Sequence, residues 1–271
     1  MVTEPEYATD DQNTITGPDF MGSFFSSVTN GTILTVTLQK PAQHNVLNPD
    51  EMGELKDHFL EMSKVEGLLA VVLTGEGKSF CAGANLGELG DYNFSENPLE
   101  NLTDAIENFP APVICKLNGG VYGGGTDLAL ACDFRVGCAS MKCFIPPAKI
   151  GIHYHPAGMA RAVSRLGLGP AKRLFLALET MNGQELKNVG FLDYLVEESD
   201  LDQFVADLAQ KMSELAPLSL RGMKATFNDI ARQSYNDQAA REAQLKCLQS
   251  ADFEEGRKAM DEKRPPRFKG K

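Results

Sequence analysis

Apolar and polar positions alternate from Thr32 to Gln39 (TILTVTLQ), the period of a strand with one buried face. The period then lengthens. Met52, Leu55, Phe59, Leu60 and Met62 recur at helical spacings between Pro49 and Lys64, with a proline placed for a first helical turn. The unbroken run Leu68 to Thr74 predicts a fully buried strand, and a loop from Gly75 to about Asn97 leads to a helix ending near Phe109. A second buried strand follows at Pro112 to Leu117. Strand, helix, strand, helix, strand predicts an α/β domain with a largely parallel sheet. Beyond Pro156 the pattern is mainly helical, with Pro170 in one first turn and Asp200 and Pro217 opening two more helices. Residues 1–30 are polar and aperiodic and predict a loose extension, with order beginning near Thr32. A core over 31–200 and a helical region over 201–271 complete the expected organisation; no internal repeat is visible.

Composition narrows the class. The 271 residues are 42% hydrophobic, enough for a substantial core. No apolar run approaches the roughly 18 residues that cross a bilayer, so no membrane insertion is expected. No Lys or Arg precedes Lys40, which speaks against a signal or transit peptide and makes a cytoplasmic location the expectation. The net charge of −11 disfavours nucleic acid as a partner. Six scattered cysteines without a C-x-x-C pair suit reduced, packed thiols, and no metal is expected. Positive charge is locally dense at Lys263 to Lys271 (KRPPRFKGK), for which a plain reading is a solvated, disordered end.

Five glycines (119, 120, 123, 124 and 125) crowd the residues before a short helical stretch, Thr126 to Ala131, so that backbone can approach another group closely at a helix N-terminus. Together with Ser79 to Leu86 (SFCAGANL), the run Gly119 to Asp133 (GGVYGGGTDLALACD) resembles the crotonase superfamily, also called the enoyl-CoA hydratase/isomerase family. The turn Lys40 to Asn48 (KPAQHNVLN), the segment around Leu166-Gly167 and the C-terminal stretch Gly256 to Lys269 are similar to it as well. The resemblance implies a crotonase-like ββα spiral with a helical C-terminal region, assembled as a homotrimer or a dimer of trimers. It implies an acyl-CoA substrate and no cofactor beyond the coenzyme A moiety. By position, the N–H groups of Ala84 and Gly124 match the family's oxyanion hole, which holds the thioester carbonyl as negative charge develops there. Lys40, Ala82, Asn85, Leu86 and Lys269 match positions that contact coenzyme A, Lys269 reaching a neighbouring subunit's CoA.

The hydratases of this family place two glutamates beside the acyl group. The first falls here at Asp127, one methylene shorter. The second falls in Phe144 to Gly151 (FIPPAKIG) at Pro147 or Ala148, where no carboxylate stands. Other branches place an acid or base beyond that glycine, and Gly151 to Gly158 (GIHYHPAG) offers His153, Tyr154 and His155. Alternation in an extended turn predicts His153 and His155 facing one way and Tyr154 the other. Alternatively, these side chains cap the helix that begins near Pro156, and Asp127 serves only a helix dipole. The expected activity is of the enoyl-CoA hydratase/isomerase type. Malonyl-type decarboxylation, CoA-ester or β-diketone hydrolysis, and acyl-CoA binding without catalysis remain alternatives.

Overall fold

The computed structural model describes residues 19–85 and 96–271, together with a short antiparallel pair, Ala8–Thr9 and Ile15–Thr16. The sheet starts earlier than the sequence pattern suggests. β1 (Phe20–Met21), β2 (Phe25–Asn30) and β3 (Ile33–Leu38) form an antiparallel meander in which Asn30 pairs with Ile33. The expectation of a loose segment up to residue 30 is therefore corrected for residues 20–30. Gly31 sits at φ +61° in the two-residue turn, a conformation that glycine adopts without a Cβ penalty.

After α1 (Pro49–Met62) the chain makes three ββα turns. β4 (Ala70–Gly75) and β5 (Ser79–Cys81) lead to α2 (Pro98–Glu107). β6 (Val113–Leu117) and β7 (Gly120–Tyr122) lead to α3 (Gly124–Ala131). β8 (Phe134–Cys138) and β9 (Lys142–Phe144) lead to α4 (Pro156–Leu166). The first strand of each turn joins one sheet and the second joins another. With α5 (Leu168–Phe175), β10 (Met181–Asn182), α6 (Gly183–Asn188) and β11 (Tyr194–Val196), the larger sheet has the order β11-β8-β6-β4-β3-β2-β1. The smaller has the order β10-β9-β7-β5. All pairs from β3 to β11 in the larger sheet are parallel.

Both faces of the larger sheet are covered, which is why its central strands read as unbroken apolar runs. Val71 and Leu73 face the main core with Leu55, Phe59 and Leu102. Ala70 and Val72 face α7 (Leu201–Ser213), where Val205, Ala209 and Met212 close the other side. Three more helices, α8 (Pro217–Ala231), α9 (Asp237–Leu248) and α10 (Ala251–Asp261), follow. The basic tail is not a disordered end. Asp252 accepts from the Lys269 and Gly270 N–H groups (2.7 and 2.8 Å), Glu255 from the Arg267 N–H (2.8 Å), and Arg264 pairs with Glu255, so the tail folds back along α10.

One contact makes the meander pH-sensitive. The imidazole of His58, on α1, lies 5.6 Å from the ring of Phe20 and 5.1 Å from that of Phe25, and its buried Nε2 has no hydrogen-bond partner among the described residues. Burial holds its pKa below the ordinary 6.5, against a smaller opposing pull from Glu61. The unfolded chain therefore binds a proton that the folded chain resists, and this contribution to stability is lost as the pH falls below about 6.5. His58→Phe is expected to show a smaller drop in Tm between pH 7.5 and 5.5 than the parent. Equal drops in differential scanning fluorimetry would contradict this reading.

Candidate active site

The site is built where the first two ββα turns meet. Asn45 anchors one wall. It is fully buried at φ +56°, and its side chain accepts from the Lys40 N–H (2.8 Å) while donating to the Ser79 and Phe80 carbonyls (2.8 and 3.1 Å). Held this way, the turn after Lys40 runs beside the strand extension Ala82–Asn85. Ala82 N–H donates to His44, Leu47 N–H to Gly83, and Asn85 N–H to Leu47, at 2.8 to 2.9 Å. Ala84 pairs with Leu47 in a single parallel bridge, and with Gly83 and Asn85 both bonded toward Leu47, the Ala84 N–H points the other way.

On that other side lies the N-terminus of α3. Gly83 has φ +83°, and a methyl group on it would overlap the Gly124 nitrogen; one on Gly125 would overlap the Cys81 carbonyl. Glycine is required at both places for the two segments to touch. The N–H groups of Ala84 and Gly124 find no acceptor among the described residues, and the second opens a helix whose dipole favours negative charge. These are the two donors the sequence singles out, and the segments that carry them are in contact.

Asp127, in the first turn of α3, is buried at 2% exposure. Its Oδ1 accepts from Arg161 of α4 at 2.7 Å, and its Oδ2 lies 2.9 Å from Nε2 of His155. The latter two atoms are close but not aligned for a hydrogen bond, so each keeps capacity for a further group. The Tyr154 ring stacks on His155 at 4.7 Å, and its buried hydroxyl also has no partner among the described residues. Burial, reinforced by the Asp127 charge, pushes the Tyr154 phenol well above its ordinary value, so it is a neutral donor at physiological pH. All three side chains converge on Gly158, where a methyl group would fall 2.6 Å from Tyr154 and 2.8 Å from both Asp127 and His155.

The expected alternation of the His-Tyr-His segment is corrected. His153 is exposed, with Nδ1 donating to the Tyr154 carbonyl, whereas Tyr154 and His155 both join Asp127. His155 sits at φ −68°, ψ 145°, close to polyproline II, where successive side chains turn by about 120° rather than 180°. The capping alternative also holds in part: His155 Nδ1 accepts from the Gly158 N–H at 3.2 Å. Asp127 does more than face a helix dipole, because a carboxylate this buried needs specific partners.

Arg161 was not singled out by the sequence, although His155, Gly158 and Arg161 recur every third residue along one face of α4. It also reaches Asp104 (3.0 Å) and Glu107 (3.3 Å) on α2, and Arg232, just past the end of α8, closes on the same Glu107. Burial alone would raise the Glu107 carboxyl, but the guanidinium charges of Arg161 and Arg232 outweigh it and hold it low. Burial likewise opposes the Arg161 charge, and Asp127 and Glu107 override it. Lys40 pairs with Glu51 (2.8 Å) beside the Ala82–Asn85 strand. Lys269 lies on the tail against α10, and Leu86 falls outside the described residues. Among the described residues, no three His, Cys, Asp or Glu side chains are gathered as a metal site.

The fold is a ββα spiral in which the Ala82–Asn85 strand touches the N-terminus of α3, one turn ahead of a buried carboxylate. The enoyl-CoA hydratase/isomerase family model matches residues 28–271, and the chain belongs to that family. It is an enzyme of the type that handles acyl-CoA thioesters. It is 32% identical over 240 residues to the probable enoyl-CoA hydratase of Mycobacterium tuberculosis, covering 88% of this chain and 96% of that one. It is 32% identical over 255 residues to the carnitinyl-CoA dehydratase of Escherichia coli O157:H7, covering 89% and 97%. Among solved structures it is similar to an enoyl-CoA hydratase/carnithine racemase from Magnetospirillum magneticum, at TM-score 0.87 and 27% identity over 93% of this chain and 97% of the other.

Proposed function

We propose that the chain activates an acyl-CoA thioester by polarising its carbonyl between the Ala84 and Gly124 N–H groups, and that the Asp127–His155 pair moves the proton in a hydration or double-bond isomerisation. The observation that carries this reading is the juxtaposition of two unpaired backbone donors with three buried polar side-chain atoms that also lack partners. Leaving a buried polar atom unpaired costs about 1–3 kcal/mol, so such a group is expected to be matched by what binds there. When water adds to an enoyl thioester, negative charge passes to the thioester oxygen, where the two N–H groups receive it. A proton then returns from the imidazole or carboxylate to the α-carbon. Tyr154 contributes a neutral donor. Malonyl-type decarboxylation is disfavoured because it would bring a second carboxylate beside the buried Asp127, whose compensating Arg161 is already shared with Glu107 and Asp104.

A mechanism distinct from that of two-glutamate hydratases is supported by the lack of a carboxylate in Phe144–Gly151. Lys40, Ala82, Asn85 and Leu86 are the positions that take the coenzyme A moiety, and Lys269 contacts the CoA of a second copy. The homotrimer or dimer of trimers is supported by the exposed apolar side chains of Met223, Phe227 and Ile230 on α8 and Leu245 and Leu248 on α9. A mass-spectrometric screen against enoyl-, dienoyl-, β-keto- and malonyl-CoA thioesters in deuterated water tests the reading. Gain of water or deuterium exchange at unchanged composition, abolished in Asp127→Asn, is expected. Loss of carbon dioxide, release of free CoA, or binding without any label would overturn it.

A further inference from the structure

The pattern Asn-x-x-Glu opens three helices. At α1, Asn48 Oδ1 accepts from the Glu51 N–H and Glu51 Oε2 from the Asn48 N–H, both at 2.8 Å. At α6, Asn182 and Glu185 close the same reciprocal box at 3.0 and 2.9 Å. α2 has the same spacing in Asn97 and Glu100, and Asn97 caps the Leu99 and Glu100 N–H groups at 3.1 and 3.3 Å. Its glutamate does not reach back. Glu100 Oε2 instead lies 3.3 Å from Nδ1 of His155, the ring whose Nε2 is 2.9 Å from Asp127.

Nδ1 thus has two neighbours with opposite requirements. The Gly158 N–H, at 3.2 Å, needs a bare nitrogen, whereas a carboxylate needs a protonated one. The Gly158 contact is a hydrogen bond, whereas Glu100 approaches Nδ1 as an ion-pair contact whose charge favours the tautomer with its proton on Nδ1. The N-terminus of α2 favours that charge in turn. α2 also packs its Leu99 side chain where a methyl group on Gly124 would fall at 2.9 Å, so the N-termini of α2 and α3 lie against one another.

We propose that Glu100 is a positioning residue that keeps the His155 proton on Nδ1, so that Nε2, 2.9 Å from the Asp127 carboxylate, is the bare nitrogen that takes and returns the proton the reaction exchanges. α2 thereby supplies the second carboxylate that Phe144–Gly151 lacks. The inference rests on Asp127 and His155 acting as proposed above. In the addition step an O–H bond of the attacking water breaks as its proton passes to Nε2 and a C–O bond forms at the β-carbon. In the donating step that Nε2–H bond breaks as a C–H bond forms at the α-carbon of the enolate, and the ring is left neutral with its proton on Nδ1 beside Glu100.

Nitrogen NMR of the full chain labelled at histidine, at pH 7, reads the proton directly, with His155→Gln giving the assignment. Nδ1 of His155 is expected to be protonated in the parent and in Glu100→Asp, and bare in Glu100→Gln. A bare Nδ1 in the parent, or an unchanged signal in Glu100→Gln, would overturn the inference without any assay. With a thioester turned over in the panel, Glu100→Gln is expected to lower kcat about 10- to 100-fold with KM within about threefold. The same change in a His155→Gln background is expected to cost nothing further, a non-additivity that lost folding alone would not give. If His155→Gln loses turnover while Glu100→Gln does not, this inference fails and the proposed function stands. If neither His155→Gln nor Asp127→Asn affects turnover, the proposed function itself fails.

Discussion

Asparagine in place of Asp127 is expected to lower turnover about 100- to 10,000-fold, the range in which a positioned acid or base acts. The change keeps an oxygen that can accept from Arg161 and leaves that guanidinium beside Asp104 and Glu107. The stability cost is therefore expected to be about 1–3 kcal/mol, nearer a weakened hydrogen bond than the 3–5 kcal/mol of an orphaned buried charge. Single-turnover rates and chemical unfolding of the same samples separate the two effects. A large loss of stability with full turnover would make Asp127 a structural partner of Arg161 and nothing more.

Gly83→Ala is expected to lower kcat/KM about 100- to 1,000-fold, the usual cost of losing one oxyanion donor. The added methyl would overlap the Gly124 nitrogen, so the Ala82–Asn85 strand and the α3 N-terminus must separate. Alanine at φ +83° adds backbone strain of about 1–3 kcal/mol, which needs a control. Gly167 supplies one: it sits at φ +80°, and a methyl group added there would meet nothing within 4 Å. Gly167→Ala should carry the strain and keep its activity. Equal activity losses in the two variants would indicate that strain, not displacement of the N–H groups, is responsible.

The sequence showed much of this architecture where segments are long. The six-residue strands β3 and β4 and the fourteen-residue α1 bury enough side chains to display their period. β5, β7 and β9 have three residues each, too few for a period, so the ββα repetition that unites the fold was invisible as a repeat. The start of the sheet was missed because β2 carries Ser26, Ser27 and Thr29 rather than a clean alternation, although Asn30-Gly31 is a hairpin signal. In the site, glycines marked where the Ala82–Asn85 strand and α3 touch, because only they allow such close approach. Tyr154 and His155 were found as residue types but misaimed, since side-chain direction depends on backbone angles that residue spacing does not encode. Glu100 and Arg161 come from other elements, and only the tertiary fold joins them to Asp127.

The central claim is that two backbone N–H groups polarise a thioester carbonyl. Infrared difference spectroscopy of crotonyl-CoA carrying 13C at its thioester carbonyl measures that bond in the bound state. The account predicts a carbonyl band moved to lower frequency on binding to the parent chain and returned toward its free position in Gly83→Ala. A bound thioester whose carbonyl band stays at the solution frequency would contradict it.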